Sequence, residues 1–133
     1  MNMKKFAVTG VVVFVALWIT EFVFHGMLMK DQYAATAQLW RPESEMGAYF
    51  PFMIIGQLVT AFLFTAIFIH GYKGKGAAEG VRYGILMGGF MAGFNLSMYA
   101  VAPWTPGLLL CWTVFGFVQS AFLGVICTFV YKA

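Results

Sequence analysis

Long apolar runs, separated by short polar stretches, organise this sequence. Asp, Glu, Lys and Arg are all absent from Met46 to Tyr72 and from Tyr83 to Tyr131, and the run from Phe6 to Met29 contains one acidic residue. An α-helix needs about 20 apolar residues to cross the hydrocarbon core of a bilayer. A turn with two prolines and a glycine divides the last run. The pattern therefore predicts four membrane-spanning helices, at residues 6–29, 48–70, 81–102 and 107–131.

These four helices predict an all-α membrane protein, an antiparallel bundle that forms a single transmembrane domain over residues 1–133. The strands of a membrane barrel would instead be about ten residues long and would alternate polar with apolar residues. The first apolar run is longer than the segment of about 7–15 apolar residues in a secretory signal peptide, so we expect it to be retained.

The composition supports this fold class. Hydrophobic residues make up 62% of the chain and charged residues only 10%, whereas soluble domains carry about 25% charged residues. This excludes an ordinary soluble globular protein, a disordered chain and a nucleic-acid-binding protein. The net charge of +3 is informative mainly through where the basic residues lie.

The basic residues predict the orientation of the helices. With the N-terminus inside, six of the eight Lys and Arg residues lie on the cytoplasmic side, and cytoplasmic loops are normally enriched in these residues. Both termini are therefore expected to be cytoplasmic, and the short loops suggest a bacterial inner membrane. The two sets are Lys4, Lys5, Lys73, Lys75, Arg82 and Lys132 inside, and Lys30 and Arg41 outside.

The first outer loop, residues 30–47, is the only long connection. Tyr33, Thr36, Ala37 and Trp40 recur in it at helical spacing, which predicts a short helix lying in the membrane interface. Tyr33 and Trp40 would anchor it at the level of the lipid headgroups. Two interpretations stay open: a solvated connector, or a docking loop for a periplasmic partner.

Glu21 is the only acidic residue inside a predicted span, and the only formal charge far from a span's ends. A charge at membrane depth is costly, so such a residue normally faces the bundle, is paired, or is protonated. His25 lies one turn away on the same helical face. Polar side chains on helices 2 and 3 fall at a similar predicted depth, so we expect one buried polar cluster. Its members are Glu21, His25, Gln57, Asn95 and Tyr99.

Three interpretations of this cluster are possible: a hydrogen-bond network that fixes helix register, a binding site for a proton, ion or small ligand, or a catalytic site. A nucleophile with a base and an orienting group is not visible in the sequence, so we do not expect an enzyme. Helices 3 and 4 should also pack closely through small residues, with Gly88 and Gly124 at similar depths. The expected packing residues are Gly84, Gly88, Gly116, Ser120 and Gly124.

No cofactor is expected, although a metal ion near Glu21 and His25 stays possible. Haem ligation by His25 and His70 is excluded because the two residues lie near opposite membrane surfaces. Cys111 and Cys127 are sixteen residues apart on one predicted helix, about 24 Å along its axis, so they cannot pair within the chain.

The sequence favours a small accessory or structural subunit that packs against a larger membrane complex. The alternative is a small homo-oligomeric transporter, or an ion- or proton-binding membrane protein that uses Glu21 and His25. The expected partners are the lipid bilayer and either other membrane subunits or further copies of the chain, and not nucleic acid.

Overall fold

The computed structural model describes residues 1–132, which contain helices and no strands. Four of the helices are long and apolar enough to cross a membrane, as the sequence predicts. A π-helical turn, Phe24–Leu28, extends the first helix, and a 3-10 turn, Ala37–Leu39, follows the second. The helices are α1 (Met3–Val23), α2 (Lys30–Ala35), α3 (Glu43–Gly71), α4 (Ala77–Val101) and α5 (Pro106–Lys132).

The start of α3 differs from the prediction. The helix begins at Glu43, before the predicted residue 48, because Pro42 precedes it with an extended backbone and two acidic residues occupy its first turn. Acidic side chains there interact favourably with the helix dipole. Pro51 lies inside α3, where its missing N–H leaves the carbonyl of Gly47 without its usual helical donor.

The long helices pack in the spatial order α4, α5, α1, α3. At one end of the bundle the two termini lie together, since the Asn2 backbone N–H donates to the Tyr131 hydroxyl over 3.4 Å. Tyr72, at the end of α3, packs edge-on against Tyr131 with ring centroids 5.4 Å apart. We call this the terminus end and the opposite end, which carries α2, the α2 end.

The two halves of the bundle differ in packing. The buried apolar core lies in the half near the terminus end, where the Tyr83 hydroxyl of α4 donates to the Phe64 carbonyl of α3. In the other half, residues 43–60 of α3 are mostly exposed to the surroundings of the chain. The core residues are Val13, Leu17, Ala61, Phe64, Phe68, Leu123 and Cys127.

Small residues hold α4 and α5 together. A Cβ added at Gly84 would overlap the backbone of Ser120, and one added at Gly80 would overlap the carbonyl of Gly124. Gly80 and Gly124 are equidistant from Ala102 along the chain. The short turn between the helices therefore sets their register and pairs Gly124 with Gly80, not with Gly88.

Two further glycines of the expected seam lie in different surroundings. A Cβ on Gly88 would come within 2.8 Å of the Phe117 ring, so Gly88 does belong to the α4–α5 contact. Gly116 lies outside it, because an added Cβ there would meet nothing within 4 Å. The helical spacing placed Gly116 near the stripe, but the α5 residue that meets Gly88 is the next one, Phe117.

We predict that Gly84→Leu destabilises the protein far more than Gly93→Leu. Both changes remove a helical glycine from α4, but only the first inserts a side chain into another backbone, since a Cβ on Gly93 meets nothing within 4 Å. Overpacking of this kind costs about 1–3 kcal/mol or more. Thermal unfolding in a mild detergent, followed by circular dichroism, measures the difference. Equal melting temperatures for the two variants would contradict the close approach of α4 and α5.

Candidate functional site

A cavity of about 830 Å³ opens at the α2 end, between α1, α2 and the exposed half of α3. Its volume is that of a pocket for a small molecule. Polar groups from α1, α3 and the α2–α3 connection interrupt a wall that is otherwise apolar: Glu21, His25, Gln57, Arg41 and Glu43. The aromatic residues of the wall are Trp18, Phe22, Tyr33, Trp40, Phe50 and Trp112.

The π-helical turn Phe24–Leu28 shapes one side of this cavity. The Met29 N–H bonds to the Phe24 carbonyl over 2.9 Å, which widens the end of α1 by one residue. Such turns within helices frequently occur at functional sites. Phe24 stacks on Phe115 of α5 with ring centroids 3.8 Å apart, and the next residue, His25, lines the cavity.

Glu21 has hydrogen-bond partners on both carboxylate oxygens. His25 Nε2 lies 3.1 Å from Glu21 Oε2. From α5, Gln119 Nε2 donates to Glu21 Oε1 over 2.9 Å and to Thr20 Oγ1 over 2.8 Å. The carboxylate is thereby held between α1 and α5, yet the Glu21 side chain retains 25% of its accessible surface. It can therefore contact a molecule in the cavity.

The other ring nitrogen of His25, Nδ1, is hydrogen-bonded to the hydroxyl of Tyr33. Trp112 Nε1 of α5 donates to the same Tyr33 oxygen over 2.8 Å. Burial raises the pKa of Tyr33 to about 12, and the charge of Glu21 acts in the same direction, although the Trp112 hydrogen bond lowers the pKa. Tyr33 is therefore a protonated hydroxyl at neutral pH and can donate to His25.

These contacts form a hydrogen-bond chain in one direction. Trp112 donates to Tyr33, and, when His25 carries its proton on Nε2, Tyr33 donates to His25 Nδ1 and His25 Nε2 donates to Glu21. With a neutral imidazole in this tautomer, each donor of the chain has an acceptor. The chain joins α2 to α1 and α5 and sets the orientation of both His25 and Glu21.

Aromatic packing holds α2 over the cavity. The Trp40 ring lies 5.7 Å from the Trp112 ring between centroids, and Tyr33 lies 5.4 Å from Trp40. Gln32 Nε2 also donates to Cys111 Sγ over 3.4 Å. Tyr33 and Trp40, which are predicted to anchor this segment at the headgroup level, both line the cavity.

The structure brings together three of the five residues expected in the polar cluster. Glu21 and His25 are bonded directly, and Gln57 of α3 lines the same cavity. The Oε1 atom of Gln57 is buried, and no hydrogen-bond partner for it lies within residues 1–132. Asn95 and Tyr99 are on α4, outside the lining of the cavity. Equal depth did not place them at the site, because α4 packs mainly on α5 and not on α1.

Three residues that complete the site were not among those expected from the sequence. Gln119 occupies the position at Glu21 that Asn95 was expected to take. Trp112 lies in an uncharged apolar run, so it was not expected to form a hydrogen bond at the site. Tyr33 was predicted to lie at the membrane interface. The helical spacing of Tyr33 in the loop indicated that one face of this segment packs against something. It did not indicate which residues that face contacts.

Residues 1–132 contain no group of three or more His, Cys, Asp or Glu side chains placed to hold a metal ion. His70 lies near the terminus end of α3, where its Nδ1 is 2.7 Å from the Ala66 carbonyl oxygen, far along the helix from the cavity. At the cavity itself, Glu21 and His25 offer two ligands of different chemistry. What this arrangement can do is bind an amphipathic molecule through hydrogen bonds, charge and apolar contact.

The charged groups at the mouth of the cavity are Arg41 and Glu43. The Arg41 guanidinium lies over the Tyr49 ring, 3.6 Å from its centroid, a cation–π contact. Comparison with known proteins adds no functional assignment to this geometry. The chain matches no protein family model, no curated protein and no solved structure.

Proposed function

We propose that this chain is a small multi-pass membrane protein that binds an amphipathic small molecule in the cavity at the α2 end. The four apolar helices support the membrane assignment. The observation that carries the proposed binding function is the cavity itself, about 830 Å³ in volume, where Glu21, His25 and Gln57 interrupt a mainly apolar wall that is rich in aromatic residues. A ligand would place its apolar body against the aromatic wall and its polar group against these side chains.

The unpartnered oxygen of Gln57 supports a binding role over a purely structural one. A network that only fixes helix register satisfies its own polar groups. Of the three buried side-chain oxygens that have no partner within the described chain, that of Gln57 is the one that belongs to a residue lining the cavity, and leaving such a group unsatisfied costs about 1–3 kcal/mol. A ligand with a hydrogen-bond donor would remove that cost on binding.

The α2 segment supplies the cover of the proposed site. Tyr33, Ala37 and Trp40 line the cavity from this segment, and its hydrogen bond to His25 joins the cover to the polar wall. The affinity for a ligand that contacts Glu21 or His25 therefore also depends on the position of α2.

Binding can be tested with 4-bromobenzyl alcohol, a neutral aromatic probe whose bromine quenches tryptophan fluorescence. Three of the four tryptophans line the cavity, so we expect saturable quenching of the protein in phosphatidylcholine nanodiscs. Ala37→Phe fills the cavity and should abolish the saturable component. Ala100→Phe, on the exposed face of α4, is the matched control and should retain it. Linear, non-saturating quenching that is the same in all three proteins would refute the proposal.

We also propose that the termini are cytoplasmic, that the membrane is a bacterial inner membrane, and that α2 lies at its outer interface. The distribution of Lys and Arg supports this orientation. In a background lacking Cys111 and Cys127, Ser44→Cys should react with an impermeant thiol reagent added to intact cells, and Gly74→Cys only after lysis. Labelling of Gly74→Cys in intact cells would reverse the topology.

A second candidate is the accessory subunit of a larger membrane complex. The observation that favours it is the exposed half of α3, whose apolar side chains have few neighbours in the chain. The two candidates separate on one preparation in mild detergent. Saturable probe binding by the isolated chain supports the first, whereas co-purification with larger membrane subunits, together with no saturable binding, supports the second.

A further inference from the structure

We propose that the ligand is a primary or secondary organic ammonium ion, carried on an aromatic or aliphatic body. This inference rests on the proposed binding function and specifies the chemical class of the ligand. It follows from three properties of the cavity: the sign of its charges, its unpartnered acceptor, and the nature of its walls.

The charges of the cavity favour a cation. Two carboxylates, Glu21 and Glu43, line it together with one guanidinium, that of Arg41. Arg41 is already engaged over the Tyr49 ring, and both ring nitrogens of His25 already have partners, Tyr33 at Nδ1 and Glu21 at Nε2. An anionic ligand beside Glu21 would meet a like charge, whereas a cation gains a Coulombic partner in a low-dielectric setting.

Glu21 can accept further hydrogen bonds. Each of its oxygens accepts one from the protein, from Gln119 at Oε1 and from His25 at Oε2. A carboxylate has about four lone-pair sites, so two stay available on a side chain that is partly accessible. An ammonium N–H is a strong donor to such an oxygen, because both partners carry charge.

The acceptor on Gln57 restricts the class further. Gln57 lines the cavity, and its Oε1 is buried and lacks a donor within residues 1–132, so a ligand donor reaches this oxygen once the amide turns toward the cavity. A quaternary ammonium has no N–H and would leave this oxygen unsatisfied. A primary or secondary ammonium has enough N–H groups to bond both Gln57 and Glu21, so the pair selects for N–H as well as for charge.

The walls suit the body of such a ligand. Trp18 and Phe50 pack edge-on with centroids 5.6 Å apart, and both line the cavity with Trp112. Aromatic faces attract cations through their quadrupole and bury apolar groups at the same time. The same wall therefore accepts the charged nitrogen and the hydrocarbon attached to it.

A matched series of bromobenzyl probes tests the inference by the fluorescence assay in nanodiscs of neutral phosphatidylcholine. At about pH 8, where an ordinary histidine is neutral, 4-bromobenzylammonium should bind about tenfold or more tightly than 4-bromobenzyl alcohol. The quaternary 4-bromobenzyltrimethylammonium should bind more weakly than the primary ammonium. The anionic 4-bromophenylacetate should show no saturable binding.

Two variants with matched controls assign the selectivity to residues. Glu21→Gln should bring the affinity for the ammonium down to that for the alcohol, while Glu45→Gln, at an exposed acid outside the cavity, should leave both affinities unchanged. Gln57→Leu should weaken the primary ammonium but not the quaternary one. Gln38→Leu, at an exposed glutamine outside the cavity, is its control.

The outcomes separate this inference from the proposed function. Saturable binding of alcohol and ammonium with equal affinity would overturn the ammonium assignment and leave the binding function standing. No saturable binding by any probe would overturn both. A preference for the anion, or an affinity for the primary ammonium that Gln57→Leu leaves unchanged, would also contradict the assignment. Gln57→Leu keeps the test decisive if Glu21→Gln does not fold.

Discussion

A carboxylate within a helix apolar enough to cross a membrane needs hydrogen-bond partners, and the α2 half of this protein is built around meeting that need for Glu21. Gln119 supplies one partner from α5, and His25 supplies the other from the next turn of α1. The first contact fixes the rotation of α1 against α5. The second holds the imidazole in the orientation from which it bonds Tyr33.

The same constraint explains why α2 is ordered against the bundle. The Tyr33 hydroxyl lies between His25 and Trp112, so the polar chain that begins at Glu21 ends in the aromatic cluster under α2. The other half of the bundle is held differently, by apolar side chains and by glycines that allow α4 and α5 to approach. One half is closely packed, and the other keeps an open cavity beside the polar chain.

The sequence predicted the four long helices because apolar runs and isolated charges mark membrane-length segments without any tertiary information. The Glu21–His25 pair was also predictable, since both residues belong to one helix and their spacing fixes their separation. The contacts between helices were harder to predict from the sequence. Asn95 and Gln119 both offered an amide, and only the packing of α4 on the far side of α5 decides that Gln119 meets Glu21.

Tyr33 and Trp112 show a different limit of sequence reasoning. An aromatic residue near the end of a membrane helix is commonly an interface anchor, and nothing in its local pattern separates that role from lining a cavity. The cavity lies beside residues 43–60 of α3, which are mostly exposed. That exposure depends on how the helices pack together, which their individual patterns do not contain.

The most direct test of this account is a double-mutant cycle between Glu21 and Gln119. Glu21→Leu, Gln119→Leu and the double variant would be compared by reversible unfolding in mixed detergent micelles. Polar contacts between membrane helices have coupling energies of about 0.6–1.7 kcal/mol. We expect the second substitution to cost less in the background of the first by an amount in this range, since the hydrogen bond between Gln119 and Glu21 is then already lost. Additive costs would mean that Gln119 does not hold Glu21, and the account of the α2 half would be wrong.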